Sequence, residues 1–499
     1  MAMVEIQQFS YTYPGESEPV IHDINLSIEA GSFAVLIGKS GSGKSTLGKA
    51  LAGFLFQDEK PNYSGKISIH GVDMTGLPIY QASDRVAYVQ QNPEDQFCTL
   101  TSGDEIAFGL ENNCLEPAEI DSRIDEVLAI VKGESIKERE LSTLSGGEKQ
   151  KVAIASLLAL HPDVLILDEP TSNLDPFATQ HIFETLHQIR EKRDLTVIII
   201  EHKLSQLLNF DPIIYEISDG TIKDREPEDV MRQPNPSSAS RDNAKSENSQ
   251  ENAEKVLQLS GLSISLNDTQ ILDNISLNLS TGEFVALMGP NGSGKSTLLE
   301  TIMGFHPIQS GSCTIFNQNR IRTKTSSLVN DIGYIFQNPD HQLFTQSVWD
   351  ETTFTSKNLG CLTKQKIKQA RNWLDKLGLS ERVEDHPQRL SYGEKRRLNL
   401  VAALLHEPRL LLIDELLIGQ DLENAHIWMF LLKDYAKRGN TVLLVNHHAD
   451  LTQTYCDRVI YLDHGSIIVD LPTIEAFDAL ARLGYTASLP TSLMEADNA

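Results

Sequence analysis

At 499 residues the chain is too long for one hydrophobic core, and a composition of 40% hydrophobic and 22% charged residues is that of ordinary globular domains. A formal net charge of −26 repels nucleic acid and anionic lipid, and five scattered cysteines without a C-x-x-C argue against a disulfide framework or a zinc site. No apolar stretch approaches the roughly 18–20 residues of a membrane helix, and Met1 to Ser10 lack the apolar block of a signal peptide, so we expect a cytoplasmic chain that binds no nucleic acid and meets a membrane only through partners.

In chain order, the first informative strand is the apolar run Phe33 to Ile37. It leads into Gly38, Lys39, Ser40, Gly41, Ser42, Gly43, Lys44, Ser45 and Thr46, followed by a predicted helix from Leu47 to Leu55. The pattern G-x-x-x-x-G-K-S between strand and helix is the P-loop. Its glycines turn backbone N–H groups toward phosphate oxygens, Lys44 reaches the outer phosphates, and the Ser45 hydroxyl holds Mg²⁺. The helix N-terminus behind it favours anions. Next comes Gln91-Asn-Pro-Glu-Asp-Gln96, with Gln91 at a strand end, placed to touch Mg²⁺ and water. A helical pattern over Ile120 to Val131 reads as a subdomain inserted into the nucleotide core. Leu144-Ser145-Gly146-Gly147-Glu148-Lys149 then begins a helix predicted over Lys149 to Leu160, and its hydroxyl and glycine N–H groups form a second anion site.

The run Val164 to Leu167 reads as a fully buried parallel strand that delivers Asp168 and Glu169. Asp168 is placed to hold Mg²⁺ and Glu169 to orient or deprotonate the attacking water. A further strand, Val197 to Ile200, ends at His202, which can bridge a γ-phosphate and that water.

Every one of these elements recurs. After a Pro-, Ser- and Asn-rich linker over 226–254, Phe284 to Met288 leads into Gly289, Pro290, Asn291, Gly292, Ser293, Gly294, Lys295, Ser296 and Thr297, and then a helix over Leu298 to Met303. Gln337, a helical pattern over Lys366 to Leu377, the segment Ser391-Tyr392-Gly393-Glu394, the strand Leu410 to Ile413 with Asp414 and Glu415, and the strand Val442 to Val445 with His447 follow in the same order. The offset is nearly constant: 295 − 44 is 251, 337 − 91, 391 − 145 and 414 − 168 are each 246, and 447 − 202 is 245. One domain has been duplicated and fused, giving 1–225 as a first nucleotide-binding domain, 226–254 as linker, 255–480 as a second domain and 481–499 as a tail. One domain already has its P-loop, so the Ser-Gly anion site needs another nucleotide. A head-to-tail sandwich of the two halves, with ATP between the P-loop of one and the Ser-Gly segment of the other, answers that need and makes a ligand-driven two-state switch.

On these residues the chain resembles a tandem ATP-binding cassette (ABC) ATPase over nearly its whole length. The resemblance implies two P-loop NTPase cassettes of α/β class, each a mostly parallel sheet core with an antiparallel β edge and a helical subdomain. The Gln-Asn-Pro-x-x-Gln pattern resembles the ATPases of energy-coupling factor (ECF) transporters, which take up vitamins or metal ions. That likeness implies an ATP-hydrolysing importer motor on the cytoplasmic face of the cell membrane. ATP and Mg²⁺ are its expected cofactors. A transmembrane coupling subunit and a small substrate-binding membrane subunit are its expected partners. Alternatives are an ABC-F-like ribosome-associated ATPase, disfavoured by the acidic chain and the polar linker, and the tandem ATPase of a conventional sugar or peptide importer.

The halves differ. Tyr13 stands where such ATPases stack an aromatic on adenine, and the second half aligns Leu266 there. Tyr392 replaces a signature glycine. A D-loop, Ser172-Asn-Leu-Asp175, is answered by Gly419-Gln420-Asp421, and Leu416-Leu417-Ile418 replaces the usual Pro-Thr-Ser. The expectation is that both sites hydrolyse ATP at unequal rates.

Overall fold

The computed structural model of the chain describes residues 2–39, 41–57, 61–171, 176–193, 195–201, 207–227, 254–266, 269–320, 325–417, 420 and 422–494. Ser40, the D-loop residues 172–175, His202, most of the 226–254 linker, Ile418, Gly419, Asp421 and the last five residues lie outside the described residues. The chain divides into two compact units, Met1–Asp242 and Asn243–Ala499.

The strands of the first unit are β1 (Ala2–Thr12), β2 (Ile21–Glu29), β3 (Phe33–Ile37), β4 (Asn62–Ile69), β5 (Val72–Asp73), β6 (Val86–Val89), β7 (Val164–Asp168), β8 (Thr196–Ile200), β9 (Ile213–Ser218) and β10 (Thr221–Arg225). They form two sheets, an antiparallel one ordered β2-β1-β4-β5 and a six-stranded one ordered β10-β9-β3-β8-β7-β6. In the larger sheet β9, β3, β8, β7 and β6 run parallel and only the edge strand β10 is antiparallel. The turn between β9 and β10 is Asp219-Gly220, both with positive φ, the conformation that matches a two-residue hairpin to the twist of its strands.

The second unit repeats this with β11 (Lys255–Leu266), β12 (Thr269–Ser280), β13 (Phe284–Met288), β14 (Ser310–Ile315), β15 (Gln318–Asn319), β16 (Ile332–Ile335), β17 (Leu410–Asp414), β18 (Thr441–Val445), β19 (Arg458–Asp463) and β20 (Ser466–Pro472). The orders β12-β11-β14-β15 and β16-β17-β18-β13-β19-β20 are those of the first unit. Two cassettes of one topology therefore stand in tandem, as the repeat implied.

The short apolar runs are buried strands because both faces of each parallel sheet are covered. In the first unit Val35, Leu165, Leu167, Val197 and Ile199 pack against the helical insert and the helix Gly146–Leu158. The alternate residues Ala34, Leu36, Ile166, Ile198 and Ile200 pack against the antiparallel sheet and the P-loop helix, through Leu47 and Leu51. Period-two alternation thus places successive side chains in two different cores.

Helix boundaries differ from the pattern where caps override it. The P-loop helix spans Lys44–Leu51 rather than reaching Leu55, because Gly53 at φ 83 ends it and a 3₁₀ turn follows at Phe54–Phe56. The signature helix starts at Gly146, three residues before Lys149, because Ser145 and Glu148 form a capping box. Each insert holds a helix ahead of the expected one: Ser102–Asn112 capped by Thr101, and Val348–Asn358 capped by Ser347. The expected insert helices run over Pro117–Ile130 and Lys364–Lys376.

Candidate active site

Each P-loop joins the C-terminal end of β3 or β13 to a helix that begins at its lysine. Gly38 and Gly289 carry φ of 150° and 144°, and a Cβ at either would collide with a backbone oxygen, that of Ile217 or Leu462. Gly43 and Gly294 carry φ of 102° and 101°, and a Cβ there would run into Ile21 or Leu272. Only glycine satisfies both the backbone angle and the space. Lys44 Nζ donates to the carbonyls of Gly38 and Lys39, both at 2.9 Å, and Lys295 Nζ to those of Gly289 (3.0 Å) and Pro290 (2.7 Å). Both lysines are only 5% exposed, so their charge is held inside the loop and weakly screened.

The strand β8 lies between the P-loop strand β3 and the aspartate strand β7, yet the aspartate still reaches the loop. Ser45 Oγ donates to Asp168 Oδ1 at 3.1 Å, and the buried Tyr88 hydroxyl donates to Asp168 Oδ2 at 2.6 Å. Burial pushes the Asp168 carboxyl up, and the Tyr88 and Ser45 hydroxyls oppose that shift. One residue on, Glu169 adopts φ 45° while its N–H donates to the Ile200 carbonyl at 2.9 Å. Glu415 repeats the left-handed backbone at φ 52°. A non-glycine residue there costs ~1–2 kcal/mol, so the same outlier at the same place in both units marks a side chain aimed for a purpose.

The Gln segments complete the arrangement. Gln91 Nε2 donates to Glu169 Oε2 at 2.6 Å, and Gln337 Nε2 to Glu415 Oε2 at 2.6 Å. In the second unit His447 Nε2 also meets Glu415 Oε1 at 3.0 Å. Burial would push the Glu415 carboxyl up, but the His447 hydrogen bond and charge, the Lys295 charge and the Gln337 amide hold it well below the usual carboxylate range. Its neighbour Asp414 moves the other way, raised by burial and by the Glu415 charge. The pair therefore splits into a strongly acidic and a weakly acidic carboxylate.

Tyr13 is half-buried, its hydroxyl 3.2 Å from Thr46 Oγ1 and its ring edge-on to Tyr11 at 5.1 Å. Leu266 in the second unit is likewise half-buried. Ser145 and Ser391 are N-caps, each donating its hydroxyl to Glu148 or Glu394 (2.9 and 2.8 Å) and accepting from the same residue's N–H. The glycine N–H groups of the first turn, at Gly146 and Gly147 and at Gly393, are the remaining donors of that helix end. The Tyr392 hydroxyl accepts from Arg396 Nη2 at 3.0 Å and donates to the Gln337 carbonyl at 3.3 Å.

Nucleotide and Mg²⁺ fit the groups present. Ser42 Oγ, Ser293 Oγ and Asp414 Oδ1 are buried without a hydrogen-bond partner among the described residues, and each belongs to a P-loop or to the aspartate beside it. A hard cation takes oxygen ligands of the kind that Ser45, Asp168 and Gln91 supply, and Ser296, Asp414 and Gln337 supply again. The acidic neighbours Glu169 and Glu415 stand within hydrogen-bond reach of the Gln amides, placed to orient or accept a proton from water.

Residue reading by itself passed over Tyr88, although Tyr334 recurs at the offset of 246. Gln96 and Gln342, which close the Gln-Asn-Pro-x-x-Gln pattern, have a role the pattern does not express: their Oε1 atoms accept from the N–H of Gln90 and Phe336 at 3.2 Å and close the segment into a turn. Thr171 donates to the buried Glu201, a pair that becomes Leu417 and Asn446 in the second unit.

Residues 21–172 and 272–417 match the family described as ABC transporter. A protein of Methanosarcina mazei named "Putative ABC transporter ATP-binding protein" is 32% identical over 99% of this chain and 93% of its own length. A protein of Bacillus subtilis named "Putative HMP/thiamine import ATP-binding protein YkoD" is 31% identical over 99% of this chain and 95% of its own. Among solved structures, cbiO1 from Clostridium perfringens, described as part of the ABC transporter complex cbiONQ, is 30% identical with a TM-score of 0.41, covering 48% of this chain and 99% of that one.

Proposed function

The chain belongs to the ABC transporter family, whose ATP-binding subunits hydrolyse ATP coupled to transport, and we propose that it is the motor of an ECF-type importer for a vitamin, vitamin precursor or metal ion. The observation that carries the catalytic part is the doubled constellation: lysine within the P-loop, serine beside aspartate, and glutamine on a left-handed glutamate, in both units.

In each unit the P-loop N–H groups and the buried lysine receive the β- and γ-phosphates of ATP. When bound, Mg²⁺ supplies positive charge across those phosphates, held by Ser45, Asp168 and Gln91 in one unit and Ser296, Asp414 and Gln337 in the other. Glu169 and Glu415 orient the attacking water and take its proton, and the Gln amide N–H keeps each carboxylate aimed. His447, whose Nε2 lies 3.0 Å from Glu415 Oε1, is placed to meet the γ-phosphate beside that water, and the repeat assigns His202 the same role. The resulting oxygen charge is met by the lysine and the loop N–H groups. The exposed N-termini of the two signature helices complete the sites in trans, so that two ATP molecules hold the halves head to tail and hydrolysis releases them. Tyr13 adds a stacking surface for adenine that Leu266 cannot match, worth about 1 kcal/mol.

Two observations support the ECF assignment. The Gln-Asn-Pro-x-x-Gln segment builds the same closed turn in both units, with Asn92 Oδ1 accepting from Glu94 N–H (3.4 Å) and Asn338 Oδ1 from Asp340 N–H (2.9 Å). The Bacillus subtilis relative is named for HMP and thiamine import. Beside each turn lie exposed apolar side chains, Leu100 and Phe108 in one unit and Phe344 and Phe354 in the other. These are the surfaces we assign to the transmembrane coupling subunit. Among the described residues no helix is long and apolar enough to cross a membrane; attachment to the cytoplasmic face through that subunit is part of the same proposal.

The test is affinity capture of the tagged chain from detergent-solubilised native membranes. Co-elution of one coupling subunit and one small polytopic protein supports the ECF assignment. Two large permease subunits would make it a conventional importer, and ribosomal proteins would overturn the transport role.

A further inference from the structure

The signature helix of the second unit, Tyr392–Leu405, carries three side chains that the first unit lacks. At the offset of 246, Tyr392, Arg396 and Asn399 stand where the first unit has Gly146, Gln150 and Ala153 (392 − 146, 396 − 150 and 399 − 153). All three reach the backbone of the Gln337 segment. The Tyr392 hydroxyl donates to Gln337 O at 3.3 Å, Arg396 Nη1 to Phe336 O at 3.2 Å, and Asn399 Nδ2 to Pro339 O at 3.1 Å. Arg396 Nη1 also donates to Asp414 O at 3.4 Å, and its Nη2 to the Tyr392 hydroxyl at 3.0 Å. The guanidinium lies 5.3 Å from the Tyr392 ring centre.

Arg396 is 0% exposed, a burial that costs an arginine heavily unless its donors are engaged; both Nη atoms donate, while Nε has no partner among the described residues. Its three hydrogen bonds and ring contact tie three elements together: the signature helix, the loop after β16 and the end of β17. In the first unit glycine and alanine have nothing to extend, and the buried Gln150 leaves its Nε2 without a partner among the described residues.

We propose that Tyr392, Arg396 and Asn399 are positioning residues that lock the Gln337 loop and the Asp414 strand end to the signature helix. The second unit then presents its Mg²⁺-binding groups preassembled, while the first unit lacks those three tethers. This rests on the reading of Gln337 and Asp414 as groups that hold Mg²⁺. Groups already fixed lose less freedom on binding, so the tethers act on metal affinity. Tyr392, a departure from the glycine of the first unit, is thereby the outer clamp of a loop.

The experiment uses the full chain in a Lys44→Ala background, which silences the first P-loop. A fluorescent ATP analogue is titrated with and without Mg²⁺, and hydrogen exchange is followed over 336–342. Tyr392→Phe removes one hydroxyl and should raise the Mg²⁺ half-saturation about threefold, the triple variant Tyr392→Gly, Arg396→Gln, Asn399→Ala about tenfold or more. Nucleotide affinity in EDTA should stay within about twofold of the parent, and exchange over 336–342 should quicken about tenfold. Arg396→Lys should recover part of the loss. Unchanged Mg²⁺ half-saturation and exchange would overturn the proposal, as would an equal loss with and without Mg²⁺, which marks general damage. If the parent itself binds nucleotide without regard to Mg²⁺, the metal reading fails, and the proposal with it.

Discussion

Gln91 Nε2 and Glu169 Oε2 are 2.6 Å apart, and Gln337 and Glu415 repeat that contact at the same distance on a chain offset of 246. In each case the glutamate sits on a left-handed backbone that turns it from the strand axis toward the glutamine. A strained backbone reproduced twice points to two working carboxylates rather than one working and one relic.

Glu169→Gln and Glu415→Gln should each lower steady-state ATP turnover at least about tenfold, since removal of a positioned base costs about 10²–10⁴ at its own site and, if the proposed sandwich holds, neither half cycles while the other is stalled. Phosphate release by the full chain measures this. A single variant at the parental rate would show that its site is not catalytic.

Tyr88→Phe removes the donor that stabilises the buried Asp168 carboxylate. An unsatisfied charged acceptor costs roughly 1–3 kcal/mol, so the Mg²⁺ concentration for half-maximal activity should rise several-fold with a small fall in Tm. Unmoved Mg²⁺ dependence would mean that Tyr88 only fills space.

The P-loop glycines are not equivalent. Gly38→Ala meets both a forbidden φ and the Ile217 carbonyl, and should abolish nucleotide binding at the first loop and lower Tm. Gly41→Ala has open space around its Cβ and pays only for φ 80°, ~1–2 kcal/mol, so it should fold and bind more weakly. Equal effects from the two would contradict this geometry. Thermal melts and binding of a fluorescent ATP analogue separate them.

Acid stability reports on His406, at the end of the second signature helix. Burial and then the nearby Lys366 charge push its imidazole down, to about 4 from an ordinary 6.5, and neither ring nitrogen has a hydrogen-bond partner among the described residues. The folded state keeps it neutral, so the unfolded state binds more protons between these values. Its contribution is present above pH 6.5 and is lost as pH falls toward 4, on the order of 2–3 kcal/mol. Denaturant unfolding of His406→Leu should show a flatter pH dependence than the parent across that window. Parallel curves would contradict the buried neutral state.

Much of this was legible in residues alone because its determinants are local. Four apolar residues before Asp168 make a buried strand, glycines at fixed spacing make the P-loop, and duplication confirms each twice. What was not legible depends on tertiary neighbours. The insertion of β8 between β3 and β7 follows from chain crossover, which no local pattern encodes. The Tyr88 bond to Asp168 joins residues 80 apart, and an aromatic in an apolar strand reads simply as core. The signature helix starts early because Ser145 and Glu148 cap it, a role that the anion-site pattern does not express. Tyr392 in place of a signature glycine is accommodated by Arg396, one helical turn on, whose guanidinium lies 5.3 Å from its ring centre, a pairing the substitution alone does not reveal.

The most direct test is the count of ATP bound per chain by the double variant Glu169→Gln, Glu415→Gln, measured by equilibrium dialysis with Mg²⁺ at saturating nucleotide. Two complete sites predict two ATP per chain. A plateau at one would show that a single unit holds nucleotide and would contradict the doubled site on which this account stands.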